Sequence, residues 1–533
     1  MASLEAARVS PLSEAPIVLS KPRLLQRLES PLIFLLAGAV VVYVGLMAIG
    51  VHGLANWNGL SALAHAVDVL YREPMVNLAL VGFAEPPATA LLYLPLAALF
   101  PYLPRVDYVT CIFGALLLGW CALLLNGLGK RHKLAWWLRY LAVAVLVLHP
   151  VSVSYAALGS PIVLLLTASL GMASSLASWG EKRHLRDLIA CSSYATIALL
   201  TRYEAIFLVL AAIGYIAATG LGPGVERWSR VEGLLITFLL PVAYFVGLWL
   251  VANWLIMGSP WHSLSIMFGT TGAPPQSWST GVLVTALLAC PFSYALTYHE
   301  LRPPRPLGVG VGPALLLVAA IAGALLWPRL YIAAGAGDMV SWWSALGGMS
   351  AVVLATSLVL AVLVVGQYLQ PSRDASSVSS RRPLAGTVLL AVASIFIMAA
   401  MRPADMVIPA GPGAVFQGHV AFAHSAEAER QVADLVAREV AHGTRVVIAG
   451  WPGFAIALYA HVVGQVEVLP AHTPDLQVAE QLGTGDLLVL LGDKALWAGA
   501  MPHQMLAQEW TVGEWQGLRV TSPDAAPSTS EEP

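Results

Sequence analysis

The residues best equipped for chemistry lie between 52 and 95, in HGLANWNGLSALAHAVDVLYREPMVNLALVGFAEPPATALLYLP. Three carboxylates occur there: Asp68, Glu73 and Glu85. Beside a membrane, a carboxylate can take the proton of an acceptor hydroxyl, while a cation can hold a phosphate as negative charge builds on it. With a groove for a lipid chain, these groups could move a sugar from a lipid-phosphate donor. Asp68 sits in a helical pattern, SALAHAVDVLYRE, where His65 and Arg72 fall on its face at three and four residues' spacing. The plainer reading of that face is an interfacial helix with a surface ion pair. Glu85 precedes Pro86-Pro87, where the chain returns to lipid, so it needs a partner or a watery cleft. Its plainer role is to cap the helix that follows.

A second polar cluster, Arg202-Tyr203-Glu204, interrupts two apolar runs. Charges at that depth are costly unless paired or facing a cavity, and Arg202 is a candidate ligand for a donor phosphate. A snorkelling pair is the bland alternative. Arg329 and Asp338 lie in a further expected outer loop, and Arg329 is a second phosphate candidate. His52, His65, His149 and His262 lack metal-ligand spacing, and His419 and His424 are five apart with no nearby cysteine.

The elements that must position these groups are membrane helices. The chain has 533 residues, of which 58% are hydrophobic and only 11% charged, against roughly 25% charged in a soluble chain. Its net charge of −2 argues against a nucleic-acid partner. The four cysteines, Cys111, Cys121, Cys191 and Cys290, all fall in apolar runs and read as small core residues.

Spans of about 20 apolar residues are expected near 32–51, 107–128, 134–150, 158–178, 187–201, 203–219, 231–255, 281–299, 309–327, 347–369 and 384–401. The fold class is therefore mainly α, a polytopic transmembrane bundle of about eleven spans with a small C-terminal α/β domain outside the membrane. Residues 1–30 form a cytoplasmic tail, 31–402 the transmembrane domain with its outer loop 52–95, 403–520 the α/β domain and 521–533 a disordered tail. Basic clusters at Lys21–Arg27, Lys130–Lys133, Lys182–Arg186, Arg227–Arg230, Arg302–Arg305 and Arg373–Arg382 fall on one side if the N-terminus is cytoplasmic. Residues 86–103 would break that pattern as a span, so they are expected to form a short, proline-broken or re-entrant helix.

After residue 402 the composition shifts. SAEAERQVADLVAREVAHG reads as an amphipathic helix ending at Gly443. TRVVIAG, QVEVLP and DLLVLLGD read as strands, with a helix in PGFAIALYAHVVG, giving a largely parallel sheet. There is no glycine-rich phosphate loop, so the domain reads as an accessory or acceptor-docking module.

Several motifs in order, F-A-E-P-P at 83–87, L-L-Y-L-P at 91–95, L-T-R-Y-E-A at 200–205 and N-W-L-I-M-G-S-P-W-H-S at 253–263, resemble the GT-C superfamily of polytopic glycosyltransferases. That superfamily includes protein O-mannosyltransferases and the aminoarabinose transferase of lipid A modification. The resemblance implies inverting transfer from a polyprenyl-phosphate sugar to a lipid, glycan or protein acceptor at the outer face of a cell membrane, with a first-loop Asp as base. Aligned on its first-loop pattern, the family Asp falls at Asn58, and a second acidic position falls at Ser160-Pro161. Asp68 or Glu85 would then supply the base, Arg202 and Arg329 the phosphate contacts, and Asn58, His65, Tyr203 and Glu204 the substrate contacts. No cofactor is implied, although Asp68 and Glu85 could contribute ligands to a divalent metal. The departures at Asn58 and Ser160 favour an alternative, a non-catalytic protein that binds lipid-linked sugar or scaffolds an envelope assembly. A lipid-linked sugar transporter is a third reading, and no internal repeat supports it.

Overall fold

A computed structural model of the chain describes residues 24–72, 82, 86–102, 105–220, 227–263, 310–333, 339–369, 423–450, 452–469, 476–491, 497 and 505–521. Helix α1 (Leu24–Gly45) runs on through a π-type turn (Leu46–Val51) to a short strand β1 (Leu54–Asn56). There follow α2 (Trp57–Tyr71), α3 (Ala88–Ala97), α4 (Asp107–Arg131), α5 (Trp136–Leu148), α6 (Pro150–Ala157), α7 (Pro161–Lys182) and α8 (Leu185–Thr201). A 3-10 turn (Tyr203–Ala205) leads into α9 (Ile206–Gly220), and α10 (Arg227–Met257), α11 (Val311–Ala333) and α12 (Met339–Leu369) complete the helical part. Among the described residues, five helices are long and apolar enough to cross a membrane, and a bent pair makes a sixth. The expected spans 281–299 and 384–401 lie outside the described residues.

Helix α7 is the axis of the bundle, with α4, α8, α11 and α12 packed around it. Its small residues, among them Ala168, Ser169, Gly171 and Ala173, let the neighbours approach closely. Its hydroxyls turn back on the helix: Thr167 donates to the Val163 carbonyl at 2.7 Å and Ser174 to Leu170 at 2.8 Å. No polar group is thereby left facing apolar neighbours at these two positions. At one end of the bundle Glu29 joins three helices, taking Lys130 at 3.0 Å and Arg139 at 3.2 Å. Leu35 and Leu36 on α1 and Leu240 and Leu255 on α10 point outward, which suits a lipid surround.

The expected span 134–150 corresponds to α5, two residues shorter at each end. Helix α5 stops at Leu148, and α6 leaves at 57° to it. The cause is local. His149 caps α6 by accepting from the Val151 amide at 3.2 Å, and Pro150 occupies the first helical position, where its missing N–H costs nothing. Among the described residues of the stretch 86–103, α3 is ten residues long and too short to span, and a 3-10 turn (Phe100–Tyr102) follows it.

The C-terminal part builds a sheet. Strand β2 (Ala423–Ser425) pairs antiparallel with β1, far back in the chain. Then come α13 (Glu427–Ala441), β3 (Val446–Ala449), α14 (Gly453–Tyr459), β4 (Glu467–Leu469), α15 (Leu476–Gln481), β5 (Leu487–Leu491), β6 (Met505–Val512) and β7 (Trp515–Thr521). The five-stranded order is β4-β3-β5-β7-β6. Strands β4, β3 and β5 are parallel, as the alternation of strands with helices predicts, whereas β6 and β7 form an antiparallel hairpin that makes the sheet mixed. The hairpin turns at Gly513, whose φ of +59° suits glycine.

Candidate active site

The start of α2 is fixed from both sides. Asn56 closes β1 and caps α2, its buried side chain accepting from the Gly59 amide at 2.8 Å. Gly59 itself lies against Gly159, in the turn between α6 and α7 (its φ is +64°). A β-carbon on Gly59 would lie 2.6 Å from the Gly159 carbonyl oxygen, so the approach requires glycine. The same carbonyl accepts from the Tyr93 hydroxyl of α3 at 2.9 Å. Asn58 and Ser160 are the direct neighbours of these two glycines. The two positions where the resemblance expects acids therefore belong to one place in the fold, and both carry neutral side chains. Ser160 serves as the cap of α7, accepting from the Ile162 amide.

From this point the contacts lead to Arg202. The Ser160 amide donates to the Tyr155 carbonyl at 2.9 Å, and the Tyr155 side chain feels the charge of Arg202. Arg202 is the first residue past α8, in extended backbone. Its Nη2 donates to Glu204 at 2.7 Å and its Nε at 3.1 Å, a forked ion pair across the 3-10 turn. Glu204 is buried, with 2% exposure. Between the pair, the Tyr203 hydroxyl accepts from Trp249 Nε1 of α10 at 3.1 Å. One turn along α10, Asn253 accepts from the Ser263 hydroxyl at 2.6 Å and from its amide at 3.3 Å, which ties down the chain after α10. The string N-W-L-I-M-G-S-P-W-H-S at 253–263 thus closes on itself one turn beyond Trp249, the partner of Tyr203.

Asp68 and His65 lie farther along α2. At about 1.5 Å per residue, Asp68 is about 15 Å along the helix from Asn58. Asp68 is half-buried. Burial raises its pKa above the ordinary carboxylate value, and the nearby Arg72 charge pulls it back down. His65 packs against Gly82. The sequence reading brings Asp68, Asn58 and Arg202 toward one centre; α2 instead separates Asp68 from the end of the helix that adjoins Gly159.

Arg329 is also corrected. It falls within α11, which continues through Ile332 and Ala333, rather than in a loop 328–346. The apolar residues after Pro328 carry the helix on. Glu73, Glu85, Asp338, Cys290 and His419 lie outside the described residues. Cys111, Cys121 and Cys191 are buried free thiols. Among the described residues no three of His, Cys, Asp or Glu gather as a metal site would need.

Sequence reasoning missed a second polar cluster, which joins the first loop to the C-terminal part. Asp107, at the first residue of α4 and 2% exposed, takes Arg430 Nη2 at 2.8 Å and the Tyr459 hydroxyl at 2.6 Å. Arg430 Nη1 donates to the Gly53 carbonyl at 3.2 Å. Burial works against the Arg430 cation, yet Asp107 and Tyr459 outweigh it and hold its pKa above the ordinary value. Around this knot, Trp57 meets Phe454 edge-on at 6.4 Å and Phe100 stacks on His461 at 4.8 Å. Asp107 had a signal, an acid opening an apolar run; Arg430 looks like any surface arginine of an amphipathic helix.

No family model matches the sequence, and no curated protein does. Solved structures do resemble the fold. The chain is similar to ArnT from Cupriavidus metallidurans bound to undecaprenyl phosphate, with a TM-score of 0.54 and 13% identity, covering 92% of this chain and 98% of that one. It is similar to the apo state of the same protein with a TM-score of 0.52 and 12% identity, at the same coverage. At this identity the likeness is one of fold: the chain shares the fold of ArnT over most of its length.

Proposed function

We propose that this protein is a membrane-embedded glycosyltransferase that moves a sugar from a polyprenyl-phosphate donor to an acceptor hydroxyl. The observation that carries the reading is the Arg202–Glu204 pair, an arginine held in a fixed orientation at a break between two apolar helices. A guanidinium held there can meet a lipid phosphate at the membrane surface without paying again to order its side chain. The fold shared with a protein solved with undecaprenyl phosphate supports the same ligand class.

In this reading Arg202 neutralises the phosphate as the bond from its oxygen to the anomeric carbon breaks. The acceptor oxygen forms the new bond to that carbon, and its proton passes to a carboxylate. Attack from the face opposite the phosphate inverts the anomeric configuration. Glu85 is the better candidate for that base, since it precedes α3 in the sequence and α3 packs against α8, the helix that Arg202 directly follows. Asp68 sits about 15 Å along α2 from Asn58, a poor distance for a direct proton transfer at the Gly159 turn. Asn58 and the Tyr203–Trp249 pair would line the sugar and acceptor side.

The test is the full-length protein in lipid nanodiscs with a panel of polyprenyl-phosphate sugars. Release of sugar from one donor, lost in Glu85→Gln, supports the assignment. Full activity in both Glu85→Gln and Asp68→Asn would remove both carboxylates from the role. The neutral pair Asn58 and Ser160 favours a second reading, a protein that binds the lipid phosphate without transfer. Binding of undecaprenyl phosphate with no release across the panel would select it.

A further inference from the structure

We propose that Arg430 is a positioning residue for the candidate active site, because it sets where α2 begins. Three observations meet at this side chain. One arm of its guanidinium holds the carbonyl of Gly53, and the other holds the buried carboxylate of Asp107 on α4. The face of the group lies 5.2 Å over the ring of Tyr459, whose hydroxyl completes the shell of Asp107. Gly53 is also held by the Ala426 amide at 3.0 Å, and from there β1 pairs with β2 residue by residue, Leu54 with Ser425, Ala55 with His424 and Asn56 with Ala423.

The path from Arg430 to the site is then three residues long. Asn56 ends the paired strand and caps α2 in the same step, and the first turn of α2 carries Asn58 and presses Gly59 onto Gly159. A short strand pair is weak by itself. Here Arg430 pins its open end to the bundle through Asp107, so β1 can hold only one height above the Gly159 turn. Lysine cannot replace it: one ammonium offers no planar fork to span a carboxylate and a carbonyl together.

The proposal rests on the transferase reading only for its effect on turnover. Its effect on α2 is independent of that reading. The experiment compares the full chain with Arg430→Met, Arg430→Lys and Tyr459→Phe in nanodiscs, by hydrogen exchange and by binding of undecaprenyl phosphate, with sugar release measured where a donor is found. Arg430→Met and Arg430→Lys should speed amide exchange over residues 56–62 by tenfold or more, with the amides of β3 and β5 unchanged. Tyr459→Phe should give a smaller increase in the same segment. Sugar release should fall at least tenfold while undecaprenyl-phosphate affinity stays within twofold, because Arg202 is not displaced. Unchanged exchange over residues 56–62 would overturn the proposal. So would exchange that rises equally in β3 and β5, or affinity and turnover that fall together, since either marks a structural prop. If the parent protein releases no sugar from any donor, the transferase reading fails and the exchange result alone decides the role of Arg430.

Discussion

Gly59 and Gly159 meet backbone to backbone: a β-carbon on the first would stand 2.6 Å from the carbonyl oxygen of the second. This contact aligns the start of α2 with the cap of the central helix α7, and it brings Asn58 and Ser160 into one region. Gly59→Ala should push α2 off that turn. The backbone cannot yield as a flexible side chain would, so sugar release should fall at least tenfold. Gly159→Ala adds a left-handed conformation that costs about 1–2 kcal/mol and should lower the melting midpoint as well. Release assays and thermal unfolding of the two variants check this.

Asn58→Asp places an acid where the first-loop pattern of the resemblance expects one. Its carboxylate would sit in the first turn of α2, where the helix dipole favours a negative charge. Release should rise about tenfold over the parent, or appear where the parent shows binding only. A variant that folds and binds undecaprenyl phosphate with unchanged or lower release would place the reacting centre away from Asn58.

Arg202 and Glu204 form a pair that cannot be broken from one side cheaply. Arg202→Gln leaves the buried Glu204 without its cation, a change worth about 3–5 kcal/mol, and should also abolish undecaprenyl-phosphate binding. Arg202→Gln with Glu204→Gln removes both charges. The double variant should regain most of the stability and none of the affinity. Thermal shift with and without the lipid separates the two effects.

The pKa of Asp68 is raised by burial, with Arg72 opposing. The folded protein therefore holds this proton more tightly than the unfolded chain does. The sign follows: the Asp68 contribution to stability is favourable at low pH and is lost as pH rises from the unfolded value of about 3.9 through the folded one. Above that window the charged form, in a half-buried place, opposes folding. Asp68→Asn should raise the melting midpoint at pH 7 and have a smaller effect near pH 3. Sugar release should persist, since Glu85 carries the proposed base role. Loss of release in this variant with folding intact would return that role to Asp68.

Much of the helical part was legible because apolar runs of bilayer length leave few alternatives. The expected span 134–150 ends at the His149-Pro150 break, but the short helix α6 that follows was not foreseen, because eight residues are too few to stand out from the apolar runs on either side. In the C-terminal part, buried strands such as 487–491 stand out by their unbroken apolar character. The β6–β7 hairpin was harder, because Gln508, Glu509 and Arg519 interrupt its apolar pattern; Gly513-Glu514 between the two runs was the available clue. The Arg202–Glu204 pair was visible as two charges among apolar residues. The Asp107–Arg430–Tyr459 knot was not, because its partners are separated by more than three hundred residues and each looks ordinary in its own helix. Nor did the one-dimensional pattern reveal that α2 carries Asn58 and Asp68 to opposite ends of a rigid rod.

The central claim is transfer of a sugar from a polyprenyl-phosphate donor, and one assay tests it most directly. The purified full-length protein in nanodiscs is incubated with polyprenyl-phosphate sugars of different classes, and free sugar and polyprenyl phosphate are followed over time. Release of both products in equal amounts from at least one donor, abolished by Arg202→Gln, is the predicted result. Neither release nor binding with any donor would contradict the account.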